Sequence, residues 1–259
     1  MATQAAAAKA VFEREHRFFF IMACIMAFVL VAGFSTSILF ARSSFGAPLI
    51  VHVHAFVFFG WVVLYLAQTG LVATGSVALH KRLGWLALAW VPAMVVMGFA
   101  ITLHTIRATG GPFFFGKSEF LVSNPMGILT FAGLVFAAIA LRRRTDWHRR
   151  LMFCAMASIT GPGFGRLLPM PFLIPWAWWI AGIGVPAILF LVGMIADHRR
   201  MGRVHAAYLY GLGTFIGVQV LASLFAFSAA GYALADSVTA GTPGAARPMQ
   251  AFLPPDLIP

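Results

Sequence analysis

Of 259 residues, 61% are hydrophobic and 10% are charged, which leaves too few polar side chains to clothe a soluble globule of this size. The net charge of +11 does not point to nucleic acid, because the basic residues fall between apolar runs of about twenty residues instead of alternating with polar ones on a face. The chain reads as one all-α domain, a polytopic transmembrane helix bundle, with membrane lipids as its first partner.

In chain order, residues 1–17 carry Lys9, Glu13, Arg14, Glu15, His16 and Arg17 and form a polar N-terminal segment. The apolar run from Phe18 to Phe40 is about twice the length of a signal-peptide core and ends without a small-residue cleavage site, so it is predicted to span. A bilayer core needs about 20 apolar residues, and seven stretches qualify: 18–40, 50–73, 84–106, 120–141, 150–168, 173–196 and 206–231. Together they make a transmembrane domain over 18–231. Residues 232–259, rich in Pro, Ala and Gly without an amphipathic period, are expected to be a disordered extracytoplasmic tail.

Loop charges give the expected orientation. Thirteen Lys and Arg lie on one side (Lys9, Arg14, Arg17, Lys81, Arg82, Arg142, Arg143, Arg144, Arg149, Arg150, Arg199, Arg200, Arg203) and five on the other (Arg42, Arg107, Lys117, Arg166, Arg247). This bias places the N-terminus in the cytoplasm and the C-terminus outside a bacterial inner membrane. Phe113 to Phe115, with Trp176, Trp178 and Trp179, suit the outer interface.

The fifth stretch contains Gly161-Pro162-Gly163-Phe164-Gly165-Arg166. Proline there removes a helical hydrogen bond and frees the Ser158 carbonyl, so a kink or break is predicted. Broken helices can line polar cavities for substrates or ions, and Arg166 could then pair with a propionate, an acidic lipid or a substrate anion. Equally, Gly-Pro could end the span early, with Arg166 reaching the headgroups.

None of the seven acids lies near a span midpoint, since Glu119, Asp146 and Asp197 sit at span ends. Proton transport through a mid-membrane carboxylate is not indicated. The three lysines lie outside the spans, which excludes a retinal Schiff base. Cys24 and Cys154 read as small packing residues. There is no P-loop, GxSxG, HExxH or clustered histidine box, so an enzyme acting on a lipid or isoprenoid is the least favoured class.

Histidine is the remaining chemistry, in two layers. His52, His54 and His104 fall near the outer ends of spans two and three, and His16, His80, His148, His198 and His205 lie at the cytoplasmic face. Neutral imidazoles on neighbouring helices can hold haem b, copper or zinc. His54 heads a seven-residue stripe with Trp61 and Gln68 on one helix face, whereas His52 points about 200° away from it. The predicted cofactor-binding set is His54, His104 and Arg166, and the metal-ligand candidates are His52, His54, His80, His104 and His148. Interfacial solvation would also explain the outer histidines.

His80-Lys81-Arg82-Leu83-Gly84, His148-Arg149-Arg150-Leu151-Met152 and His198-Arg199-Arg200-Met201-Gly202 share the pattern H-[KR]-R-[LM]-[GM]. A positive-inside anchor used three times explains it, as would duplication of a helix pair. With His52-Val53-His54-Ala55-Phe56 through Gly60-Trp61, these loops resemble an uncharacterised group of bacterial multi-span inner-membrane proteins. They are also distantly similar to small His-bearing membrane proteins of cytochrome oxidase assembly. The resemblance covers spans two to five. It implies a haem- or copper-related role at the inner membrane beside respiratory-chain or other membrane-complex subunits, with His54, His80, His104 and His148 as the residues to test. The alternative from the residues themselves is a non-enzymatic transport or assembly partner with a polar cavity at the Gly-Pro break.

Overall fold

The structure, a computed structural model, describes residues 2–254, with side chains described from Arg14 onward. Among the described residues it is all helix, without a strand. The long elements are α1 (Ala2–Leu39), α2 (Leu49–Ala73), α4 (Ala87–Thr109), α5 (Lys117–Ala140), α8 (Val185–Met201) and α9 (Ala206–Ala226), with the short α3 (Val77–Gly84) between α2 and α4. A π-helical turn, Trp178–Gly184, leads into α8. Among the described residues six helices are long and apolar enough to cross a membrane: Arg14–Leu39, Leu49–Ala73, Ala87–Thr109, Lys117–Ala140, Trp178–Met201 and Ala206–Ala226. This is a multi-pass membrane protein. Helix is the form these runs must take, since hydrocarbon offers no partner to an open backbone amide.

The fifth predicted stretch breaks where the Gly-Pro pair requires. Helix α6 (Thr145–Ser158) stops, and α7 (Gly161–Leu167) restarts with Pro162 in its first turn, where a missing N–H leaves no bond unmade. The two pieces run beside α1: Glu15 of α1 pairs with Arg150 of α6, and Gly33 of α1 meets the backbone of Gly163 in α7. From Glu15 to Gly33 a helix rises about 27 Å, so the broken pair covers most of the bundle's height. Gly161 likewise brings α7 against Gly182. Gly161 and Gly163 thus serve close packing between backbones.

Helix α5 is the most enclosed of the six and packs against α4, α6 and α9. Trp61 of α2 meets Phe131 of α5 edge-on at 5.1 Å between ring centres. Cys154, fully buried, fills the space beside Gly211, while Cys24 is exposed.

The expectation of an unstructured tail over 232–259 is corrected for its described part. Residues Ala229–Thr239 form α10, Pro243–Ala246 form a 3-10 turn, and the chain then folds onto the α4–α5 loop. Lys117 N–H donates to the Met249 carbonyl at 2.8 Å and Phe252 N–H to the Phe113 carbonyl at 3.0 Å. The Arg247 guanidinium donates to the carbonyls of Gly110, Pro112 and Phe115. Small residues that suggested disorder serve here as contact points: Gly244 abuts the Ile106 carbonyl. Residues 255–259 lie outside the described residues. Arg247→Ala leaves these carbonyls without their donor, at a cost of about 1–3 kcal/mol. Hydrogen exchange should rise in residues 229–254 and stay unchanged in α5.

Candidate functional site

At the end of the bundle that carries the basic loops, two copies of the repeated motif meet. His80, on α3, and His148, in the first turn of α6, face each other with ring centres 6.2 Å apart and planes at 73°. Each ring is held from behind through Nδ1. His148 Nδ1 lies 2.8 Å from the Ala138 carbonyl of α5; a carbonyl only accepts, so Nδ1 carries the proton and Nε2 keeps its lone pair.

His80 is held by Gln68, the innermost member of the stripe His54, Trp61, Gln68. The Gln68 amide satisfies its neighbours when its oxygen accepts from Gly84 N–H at 2.9 Å and its nitrogen donates to the His80 carbonyl at 3.1 Å and to His80 Nδ1. In that orientation the His80 proton sits on Nε2. Ligation through His80 Nε2 needs that proton on Nδ1, with the Gln68 amide turned so that its oxygen faces His80 and its nitrogen faces Gly84 N–H.

Both imidazoles resist protonation. Burial holds His80 below the ordinary histidine range, helped by the proximity of His148 and Lys81 and opposed by a hydrogen bond to the Gln68 backbone. Burial does the same to His148, against the pull of the Ala138 carbonyl. His148, neutral, with Nδ1–H on a carbonyl and a bare Nε2, has the outer-sphere arrangement that metal-ligating histidines use; His80 shares it only with its proton on Nδ1. Among the described residues no three His, Cys, Asp or Glu converge, so the donor set is a pair.

Beside this pair lies a buried ion cluster. Arg150 of α6 is 1% exposed; its Nε donates to Asp197 Oδ2 at 2.6 Å and its Nη2 to Asp197 Oδ1 at 2.9 Å and Glu15 Oε1 at 3.0 Å. Arg149 holds the other Glu15 oxygen at 2.8 Å. One guanidinium thus joins α1, α6 and α8. A further pair, His205 Nε2 to Asp146 Oδ2 at 2.9 Å, ties α9 to α6. The sequence carried a signal for these acids, since Asp146 and Asp197 stand two and one residues ahead of a motif histidine. Span-end position concealed how deeply Asp197 is buried. His198, the third motif histidine, is exposed at the end of α8.

The outer set divides. His54 stacks on Phe58 at 4.2 Å, its Nδ1 is buried without a hydrogen bond, and Arg166 is an electrostatic neighbour. Arg166 itself donates to the Pro162 carbonyl at 2.8 Å and lies 3.8 Å from the Phe34 ring centre. His104 is elsewhere, in an open cleft of about 400 Å³ with Arg107, Thr242 and Pro243. His52 is exposed, with Nε2 at the Phe45 carbonyl. Thus the structure brings together His54 with Arg166 and His80 with His148, and does not join His54 to His104.

No family model, no curated protein and no solved structure matches the chain.

Proposed function

We propose that this multi-pass protein belongs to the bacterial inner membrane and handles a redox centre, with His80 and His148 holding a copper ion or the iron of a haem b at the cytoplasmic end. The facing pair of imidazoles, with His148 anchored through Nδ1–H and its Nε2 bare, carries this reading. Such a centre would supply one-electron chemistry when bound. The chain's contribution is to keep both rings unprotonated, fix their spacing through Ala138 and Gln68, and shield them under the basic loops.

The proposed topology has seven crossings, with α6 and α7 together making the fifth, the N-terminus in the cytoplasm and the C-terminus outside. The parallel run of the broken pair beside α1 and the thirteen-to-five charge bias support it. The transport alternative has less support, because Gly161 and Gly163 face neighbouring backbone.

The test is an absorption spectrum and elemental analysis of protein purified from membranes, with reporter fusions after Arg203 and Ala240. A Soret band indicates haem, and copper without one indicates the metal alone; neither one, after loading, would refute the centre. The Arg203 fusion should report cytoplasm and the Ala240 fusion the outside.

A further inference from the structure

We infer that the groove between the Arg14–Phe18 turn of α1 and the end of α8 is a binding site for one anionic glycerophospholipid. This independent inference takes from the proposed topology only which leaflet is involved.

The groove, about 530 Å³, is walled by Phe18, Val192 and Ile195 and rimmed by Arg14, Arg199 and Arg200. The register on both helices is the same. Phe18 lies one turn deeper than Arg14 on α1, and Ile195 and Val192 lie one and two turns deeper than Arg199 on α8, positions that share a helix face. Each helix therefore offers a cation at the end of the bundle and apolar surface directly beneath it, which is the profile of a headgroup phosphate above an acyl chain.

The charges of Arg14 and Arg199 are uncompensated. Glu15 is taken up by Arg149 and Arg150, and Asp197 by the bidentate grip of Arg150. Among the described residues no carboxylate pairs with Arg14 or Arg199. Arg200 is fixed in place: its Nε donates to the Ala196 carbonyl at 2.9 Å, its guanidinium lies 4.5 Å from the Phe18 ring centre, and its Nη2, 3.6 Å from Asp197, is buried without a hydrogen bond. Arg200 thereby holds the Phe18 wall in place, while the Arg14 and Arg199 guanidiniums are left to receive a phosphodiester. Basic pockets between membrane helices on the cytoplasmic side select acidic headgroups by this means.

Native mass spectrometry of the whole protein, titrated with phosphatidylglycerol or phosphatidylcholine of matched chains, tests the site. Wild type should retain one phosphatidylglycerol in preference to phosphatidylcholine, and millimolar inorganic phosphate should not displace it. Arg14→Gln with Arg199→Gln, which leaves the Glu15–Arg150–Asp197 cluster intact, should weaken phosphatidylglycerol binding roughly thirty-fold. Ile195→Trp should weaken it by filling the groove, with the melting temperature unchanged in both variants. Equal retention of the two lipids, displacement by free phosphate, or undiminished binding in both variants would overturn the inference.

Discussion

Replacing Arg150 with Met should lower the stability of the bundle by about 3–5 kcal/mol, seen as a large fall in melting temperature in mild detergent. The substitution leaves Asp197 at 0% exposure and Glu15 at 8% without the guanidinium that satisfies both. A stranded carboxylate in a low-dielectric interior costs far more than the lost attraction alone. Arg149→Gln should cost at most about 1 kcal/mol, because Arg149 is partly exposed and holds only one oxygen of Glu15. Arg150→Met combined with Asp197→Leu should recover most of the loss, since buried ion pairs are often replaced by apolar groups at little cost. A double variant as unstable as Arg150→Met would show that the cluster matters through packing of α6 and not through charge.

His80→Ala or His148→Ala should abolish metal or haem uptake, whereas His54→Ala with His104→Ala should leave it intact. Gln68→Ala removes an orienting partner without removing a ligand and should weaken uptake by about 10–100-fold. Acid should act in one direction. Both pair histidines are held below the ordinary value near 6.5, so the folded protein binds fewer protons here than the unfolded chain. The stability they contribute is complete above pH of about 6.5 and declines as pH falls below it. Metal occupancy should follow the same course. A fall in occupancy on the alkaline side of pH 7 would contradict His80 and His148 as the ligands.

Much of the fold was legible because a membrane makes helix obligatory wherever some twenty apolar residues run together. The break in the fifth stretch was legible because Pro162 lacks the donor a helix needs. The structure at residues 229–254 was not legible. Its order comes from Arg247 reaching three carbonyls more than 130 positions away in sequence, and from glycine and alanine used as contact surface.

At the site, sequence named His80 and His148 but favoured His54 with His104, since the basic repeat already accounted for the inner histidines. Their meeting depends on α3 turning back after α2, a local bend that hydropathy does not record. Gln68 was visible as part of the His54 stripe, yet its hold on His80 depends on that same bend. Asp197 was visible as a span-end acid, while its complete burial follows from α1, α6 and α8 converging on one arginine.

The central claim is that His80 and His148 hold a metal centre, and the direct measurement is copper and haem iron per chain in wild type and in His80→Ala with His148→Ala. Both proteins would be purified in parallel from metal-replete cells, and their melting temperatures compared. Wild type should carry about one centre per chain, and the double variant should carry almost none at a similar melting temperature. A wild type that stays empty after loading with copper and haem, or a folded double variant that remains occupied, would contradict the claim.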